Sequence, residues 1–275
     1  MSTTKVLITV KTYPSLSEKY DELVCTAGFT EDGRWIRIFP VPFRKLNYAS
    51  QYEKWQWIEL DLTKNTSDFR PESYRPANLD KDIFMLDKMN TKFNWAERNK
   101  ITLKNVCTNL TELIDRAKDK TEKTSLSIVK PKKVIDFIWE PCEREWPKKK
   151  LDAIYANNAQ GSLFDIEETK AIFQIVKKLP YKFSYKFTTD DDVLRTIMIE
   201  DWELGALYWN CLKNADGDED EACRKVKVKY FDWMYKKRDL YFFMGTTKLH
   251  HFVSPNPFII IGAYYPPKVE QLSLF

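Results

Sequence analysis

The chain has 275 residues, a formal net charge of +4 and 31% charged residues, which fits one large or two small globular domains at about 150 residues per domain. It contains only 7 glycines and 2 histidines. No glycine pair forms the G-x-G of a dinucleotide-binding turn, and Arg34 and Trp35 follow Gly33 where a P-loop requires Lys and then Ser or Thr. Two adjacent histidines also argue against a zinc site built from several histidine ligands.

Cysteine usage and the N-terminal residues predict a cytoplasmic protein. The 5 cysteines are widely spaced and form no C-x-x-C pair, which is typical of reduced thiols and excludes a zinc ribbon. The first residues lack the charged and apolar regions of a signal peptide, and no apolar run reaches the ~18 residues of a membrane span. We therefore expect no metal site, no cofactor and no membrane partner.

The first third of the chain predicts four short strands. Their apolar, β-branched or alternating patterns cover residues 5–12, 22–29, 34–41 and 55–62. The Asp-Gly pair at 32–33 predicts the turn of a hairpin between the second and third strands. Alternation in the third strand places Trp35 and Arg37 on the same face, so we expect an exposed face with arginine and aromatic groups. Short strands separated by loops are typical of a small barrel.

Proline content and helical periodicity predict the next segments. Residues 63–80 are polar and contain two prolines, which predicts a loop. Residues 81–118 are mostly helical in pattern, with Thr108 or Asn109 as a candidate N-cap for the last helix. A polar, lysine-rich stretch over 141–162 is the best candidate for a domain boundary.

The second half of the chain mixes helical and strand patterns. The expected helices cover residues 166–178, 203–212 and 222–237. The expected strands cover residues 126–129, 133–139, 181–187, 193–199, 240–244 and 258–263. Aromatic and polar residues alternate throughout 181–187, which indicates a half-buried strand. The acidic run at 216–221 is expected in a solvated loop.

These patterns predict an α+β protein, with a small OB-like β-barrel region at the N-terminus followed by a mixed α+β region. The expected division is an OB-like region with inserted helices over 1–145, an α+β domain over 146–265 and a flexible tail over 266–275. The sequence contains no evident internal repeat, and a structural repeat of two small barrels is left open.

Two basic segments predict contacts with nucleic acid. Residues 224–238 carry seven Lys or Arg against one Asp, an excess that suits phosphate contacts; the alternative is a solvated helix whose lysines balance the acidic run. Residues 34–57 combine cations with aromatic groups, as OB-like barrels do when they bind single strands; the alternative is that the aromatics are core. The candidate ligands are Arg34, Arg37, Arg44, Lys45, Lys225, Lys227, Lys229, Lys236 and Lys237.

One part of the barrel region also resembles known proteins. The run LVCTAGF at 23–29, followed by GRWIRIFPV at 33–41, is similar to bacterial proteins with tandem OB-like barrels found in DNA-metabolism and defence neighbourhoods. This resemblance covers the second and third predicted strands, and it implies an OB-like fold there.

The last five residues, Gln271, Leu272, Ser273, Leu274 and Phe275, resemble the bacterial β sliding-clamp binding motif, whose consensus is Q-L-[S/D]-L-F. The resemblance implies that Gln271 takes the place of the motif's glutamine and that the apolar residues are its hydrophobic anchors. Apolar groups on a tail that follows two prolines suit an extended peptide seated in an apolar groove. The alternative is that the tail folds back as a final strand on its own domain.

A second, incomplete version of this motif lies at 160–164. Its Gln, Ser, Leu and Phe are in register, but the first leucine is missing. Because a helical pattern follows, Leu163 and Phe164 are better explained as a hydrophobic staple with Asp165 as N-cap.

The best candidate for a reaction centre is the loop at 245–251, because loops at strand ends often carry sites. Lys248, His250 and His251 are its candidate catalytic groups; the alternative is an ordinary connecting loop. Glu59 and Asp61 do not complete the carboxylate and lysine set of a nuclease. Whether the protein is an enzyme is therefore left open.

Three functional hypotheses fit these features. The first is a bacterial DNA-associated adaptor, in DNA repair, a mobile element or phage defence, that binds nucleic acid and docks on the β sliding clamp. The second is a clamp-recruited enzyme, a nuclease or a nucleotide- or base-modifying enzyme, with its site in the 245–251 loop. The third is an interaction subunit of a mobile-element or phage-defence operon that makes no nucleic-acid contact of its own.

Overall fold

A computed structural model describes residues 3–17, 21–41, 43–46, 51–78, 83–160 and 175–269. The predicted α+β class is confirmed, because these ranges contain a closed barrel on the N-terminal side followed by helices and further sheets. No helix within them has the length and apolar character needed to cross a bilayer. Most of the helix predicted at 166–178, most of the second clamp-like segment and the whole clamp motif lie outside the described residues.

The first barrel is built from five strands that close on themselves. They are β1 (Thr3–Lys11), β3 (Asp21–Thr30), β4 (Trp35–Val41), β5 (Gln56–Lys64) and β6 (Ser73–Pro76). They pair in the order β1-β3-β4-β6-β5-β1, antiparallel except for the parallel pair β4–β6. The short strands β2 (Ser15–Ser17) and β7 (Phe84–Lys88) pair with β3 and β5. The predicted OB-like barrel is thereby confirmed.

Branched aliphatic side chains fill the interior of the first barrel. Val6, Ile8, Ile36 and Ile58 are buried together, because every second residue of a strand points to the same side of its sheet. The predicted hairpin between β3 and β4 is also confirmed. Its turn contains Gly33 at φ +85°, a conformation that glycine adopts without steric cost.

The segment between the barrel and residue 118 differs from its prediction. Residues 63–80, predicted as a loop, contain β6, and residues 81–118 contain β7 and β8 (Val106–Cys107) besides α1 (Lys92–Thr102) and α2 (Leu110–Lys118). These short strands form because they pair with strands distant in the sequence, which a local pattern does not reveal. The cap of α2 is as predicted, since the Asn109 side chain accepts a hydrogen bond from the backbone N–H of Glu112.

A second set of strands repeats the order of the first barrel. Its members are β9 (Leu126–Val129), β10 (Lys133–Pro141), β11 (Tyr181–Thr188), β12 (Arg195–Met198), β13 (Tyr241–Thr246) and β14 (Phe258–Tyr264). The groups β10–β11–β12 and β9–β13–β14 are antiparallel, and a parallel bridge from Ile199 to Ile260 joins them. β9 and β10 follow one another across Pro131 and can be counted as one bent strand. The strands then close in the same order as the first barrel, and we call this set the second barrel.

Among the described residues, three helices accompany the second barrel. They are α3 (Lys148–Gln160), α4 (Trp202–Lys213) and α5 (Glu219–Lys227), and α5 continues into a π-helix (Val228–Trp233). Asp201 and Asp218 cap α4 and α5 by accepting hydrogen bonds from the backbone N–H groups of Glu203 and Glu221. The acidic run predicted as a loop therefore partly forms the first turn of α5, where acids are favoured by the helix dipole.

The two barrels pack against each other through the outer face of β3 and β4. Ala27 and Phe29 on β3 form one buried cluster with Ile128 on β9, Phe243 on β13 and Ile261 on β14. In OB-like barrels the second and third strands are the face that binds oligonucleotides, and β3 and β4 hold those places here. The second barrel therefore covers the face that such barrels ordinarily use for ligands.

A buried charged network crosses the same contact. Arg37 on β4 is 2% exposed and donates to the Oγ (2.8 Å) and the carbonyl oxygen (3.1 Å) of Ser125. Glu72 accepts hydrogen bonds from the backbone N–H (3.1 Å) and the Oγ (2.6 Å) of Ser125. Arg70 and Asp68 form a second buried pair at 2.6 Å. The network is balanced in charge, as buried ions require.

Replacing Arg37 with Met is expected to lower the free energy of unfolding by about 3 to 5 kcal/mol, because it removes one partner from a buried network of charges. Urea unfolding at neutral pH measures this loss. Arg34→Met is the matched control, since the Arg34 side chain is 80% exposed, and it should leave stability nearly unchanged. Equal stability of the two variants would show that Arg37 does not hold the barrels together.

Candidate nucleic-acid interface

Most of the predicted nucleic-acid ligands form ion pairs. The pairs are Arg34–Asp32 (2.6 Å), Arg44–Glu22 (2.6 Å), Lys225–Glu221 (3.7 Å), Lys227–Asp136 (2.5 Å) and Lys236–Asp232 (2.6 Å). Pairs at a protein surface contribute little stability, so the cations of the exposed pairs remain able to contact phosphate, whereas Arg44 pairs with a Glu22 side chain that is only 3% exposed. The side chain of Lys45 lies outside the described part of the chain.

The prediction that Arg37 faces solvent is wrong. The strand alternates as expected, with Ile36 and Ile38 inside the barrel. The opposite face is covered by the second barrel, so Arg37 donates to Ser125 instead of to a ligand. Burial lowers the pKa of Arg37, and the nearby charge of Arg70 acts in the same direction. Arg37 therefore has a structural role.

A continuous row of aromatic rings with cations lies where the two barrels meet. The ring of Tyr265 lies 5.5 Å from that of Trp95 on α1 and 5.3 Å from that of Trp233 on the π-helix, between ring centres. The Nζ of Lys229 lies 3.7 Å from the centre of the Trp233 ring, and the guanidinium of Arg238 lies 4.8 Å from it. We call these residues the seam surface: Trp95, Lys229, Trp233, Arg238 and Tyr265.

The two cations of the seam surface lie near each other, which raises the cost of their positive charge. Within the described ranges, neither Lys229 nor Arg238 forms an ion pair. Partial burial lowers the pKa of Lys229; Glu203 opposes that shift, and Arg238 adds to it. An anion bound between the two cations would relieve their repulsion, and aromatic faces beside phosphate-binding cations are the arrangement that holds single strands.

The sequence alone predicts only part of this surface. It indicates Lys229, but not Trp95 or Tyr265, because these two are 170 positions apart in the sequence and each is an ordinary core candidate by itself. The π-helix brings Lys229 and Trp233 to the same side. Arg238 lies within the basic segment 224–238 that the sequence singled out.

A buried ion cluster lies beneath the seam surface and joins the two barrels. Lys54, which precedes β5, contacts Asp201 (2.7 Å) and Glu203 (3.2 Å) at the start of α4. Burial lowers the pKa of Lys54, but the two carboxylates outweigh burial and raise it above its ordinary value. Lys54 is therefore held protonated, and its ion pairs with Asp201 and Glu203 link the two barrels close to the seam surface.

The residues before the clamp motif lie against the seam surface. The backbone of Pro267 bridges to Arg238, and the backbone N–H of Asp239 donates to the Pro266 carbonyl at 3.0 Å. The Nζ of Lys268 donates to the Lys236 carbonyl at 2.9 Å. These contacts fix the point from which residues 270–275 continue, although the motif itself lies outside the described residues.

The 245–251 loop has a different character from the one expected of a reaction centre. His251 has no exposed surface; its Nδ1 bonds to the Thr246 hydroxyl (2.7 Å) and its Nε2 to the Ala117 carbonyl (2.7 Å). Burial lowers the pKa of His251, which favours the neutral ring. Lys248 donates to the Ser67 carbonyl, and His250 is exposed. His251 thus anchors the loop to α2 and is not available to a substrate.

Comparisons with known families divide the chain close to the junction of the barrels. A family model described as Domain of unknown function (DUF8757) matches residues 106–275. The chain belongs to this family. A second model, described as Domain of unknown function (DUF8758), matches residues 2–104. The two matches meet between α1 and β8, whereas the sequence predicts a boundary at 145–146. No curated protein matches the chain.

Histidine, cysteine and carboxylate side chains are the groups of this DUF8757 member that could hold a metal ion. Across the described ranges, no group of three or more His, Cys, Asp or Glu is arranged to hold a metal ion. The described cysteines are free, and Cys211 and Cys223 are buried, where burial raises the pKa of both thiols.

Replacing Asp201 with Asn is expected to lower the free energy of unfolding by about 3 kcal/mol, because Asn still caps α4 but leaves the buried Lys54 with one carboxylate instead of two. Urea unfolding at pH 7 measures the difference. Asp232→Asn is the matched control, since Asp232 pairs with Lys236 at the surface and should contribute very little. A loss as large in Asp232→Asn would contradict the proposed importance of the buried cluster.

Proposed function

We propose that the protein is a DNA-associated adaptor, which binds single-stranded nucleic acid on the seam surface and docks on a bacterial β sliding clamp through residues 271–275. The observation that carries the proposal is the juxtaposition of these two features. The backbone of Pro267 contacts Arg238 of the seam surface, and only residues 268–270 separate Pro267 from the clamp motif.

The chemistry of the seam surface suits a single strand better than a duplex. Stacking on Trp95, Trp233 or Tyr265 requires bases whose faces are open, and the neighbouring Lys229 and Arg238 suit the phosphates between them. A duplex buries its base faces in the stack and offers phosphates alone. A sliding clamp moves along DNA, so a clamp-docked adaptor would meet such strands where DNA is repaired or copied, or where phage DNA is replicated.

The alternative of a clamp-recruited enzyme lacks a comparable observation. Its expected site was the 245–251 loop, where His251 is buried and both of its ring nitrogens are engaged. His250 is exposed on that loop, but no described nucleophile or carboxylate is hydrogen-bonded to its ring. The adaptor is therefore the function that we carry forward.

Replacing Lys229 and Arg238 together with Gln is expected to weaken binding of a fluorescent oligo(dT) strand. The slope of log K against log[salt] should become shallower by about 0.7 for each lost phosphate contact. Fluorescence anisotropy at several salt concentrations measures both quantities. Lys118→Gln is the control, because Lys118 is an exposed lysine at the far end of α2. A salt-independent affinity, or an equal loss in the control, would contradict the proposal.

Replacing Leu272 and Phe275 together with Ala is expected to abolish binding to purified β clamp and to leave the melting temperature nearly unchanged, because both residues are assigned to the partner's groove. Surface plasmon resonance and thermal unfolding measure the two effects. Val269→Ala is one control, and Leu163→Ala with Phe164→Ala tests the second clamp-like segment. A large drop in melting temperature would instead favour a tail folded onto its own domain.

A further inference from the structure

A cleft of about 270 Å³ opens beside the seam surface, between α1 and the end of β14. Aromatic rings and charged groups of both signs line it. Its lining includes Trp55, Trp95, Arg98, Tyr264 and Tyr265. Trp95 and Tyr265 belong to both the cleft and the seam surface, so the two features are continuous.

Arg98 is the unusual group in this cleft. It is only 6% exposed, and its guanidinium lies 4.5 Å from the centre of the Trp55 ring and 5.1 Å from that of Trp95. Its Nε and Nη2 donate to the Met89 carbonyl at 3.2 and 2.6 Å. Within the described part of the chain, Arg98 forms no ion pair, and its Nη1 makes no hydrogen bond and is not among the fully buried atoms, so it opens to the cleft.

A buried guanidinium without a counter-ion is costly, because burial removes its hydration. The same burial lowers the pKa of Arg98. Glu203 partly offsets that shift in the pKa of Arg98, but it lies 3.2 Å from Lys54, and Glu53 pairs with Lys88, so neither acid forms an ion pair with Arg98. The partner that Arg98 lacks in this cleft is therefore an anion.

The aromatic walls of the cleft favour a ligand that carries a planar ring as well as the anion. Trp55 and Trp95 contact Arg98, and Tyr264 and Tyr265 complete an aromatic enclosure. Aromatic walls bind planar rings by stacking. A ligand that satisfies both features carries a phosphate for Nη1 and a planar base for the aromatic side chains.

We propose that this cleft binds one nucleoside phosphate, with the phosphate on Nη1 of Arg98 and the base against Trp95. This site goes beyond strand binding on the seam surface, since it needs one nucleotide and no chain of them. The same chemistry is present in a free nucleotide and in the 5′-phosphorylated end of a strand. The same residues would bind a free nucleotide or the 5′-phosphorylated end of a strand.

Titration of the full-length protein with dAMP tests the proposal, with quenching of tryptophan fluorescence and calorimetry as readouts. We expect saturable binding that weakens at least about tenfold in Arg98→Gln, as expected for the loss of a charge-assisted hydrogen bond. Deoxyadenosine, which lacks the phosphate, should bind more weakly to the native protein by a similar factor. Arg116→Gln, which changes an exposed arginine, should bind dAMP as the native protein does.

Arg98→Lys keeps the charge but loses the planar fork of donors, and it guards against loss of folding in Arg98→Gln. It should melt near the native temperature and bind dAMP with intermediate affinity. Undiminished dAMP binding in folded Arg98→Gln, or no dAMP or phosphorylated-end binding by the native protein, would overturn the proposal.

Two oligonucleotides distinguish the sources of the nucleotide. If the cleft takes strand ends, a 5′-phosphorylated oligo(dT) should bind more tightly than its 5′-hydroxyl form and should compete with dAMP. If it takes free nucleotides, the 5′-phosphate should change neither the affinity of the strand nor its competition with dAMP for Trp95. Lys229→Gln should weaken strand binding and spare dAMP binding, so failure of the adaptor function and failure of this site are separable.

Discussion

The structure depends on one contact, in which the outer face of β3 and β4 is buried against β9, β13 and β14. Apolar side chains such as Phe29 and Phe243 supply most of that contact, and the buried network around Arg37 and Ser125 gives it a specific register. Each barrel alone would expose this apolar face to water. Because the ordinary ligand face of the first barrel is used for folding, any binding surface has to lie elsewhere.

The junction of the two barrels provides such a surface. Trp95 comes from the first barrel, whereas Trp233 and Tyr265 come from the second, and their rings touch across the junction. Lys54 and Asp201 hold the two barrels together directly beneath them. Binding of a ligand to the seam surface therefore requires that the two barrels stay in contact. Substitutions in the buried cluster should lower both the ligand affinity and the free energy of unfolding.

Local patterns predicted much of the fold, because the strands of the first barrel and the strand over 181–187 carry their own alternation. They did not predict that Arg37 is buried, since its partner Ser125 is 88 positions away. A charged residue on an alternating strand ordinarily faces water. They also did not predict β6, which pairs in parallel with the distant strand β4. Local patterns also did not predict the seam surface, because its residues come from segments that are distant in the sequence.

Photo-cross-linking of the full-length protein to a single-stranded oligonucleotide, followed by mass spectrometry of the peptides, tests the central claim most directly. The account predicts cross-links at Trp95, Trp233 and Tyr265, which lie together at the junction of the barrels. It predicts none on β4, where Trp35 packs 5.7 Å from Phe243 between ring centres. Cross-links concentrated on β3 and β4 would show that the barrels separate to bind the strand, and would contradict the account.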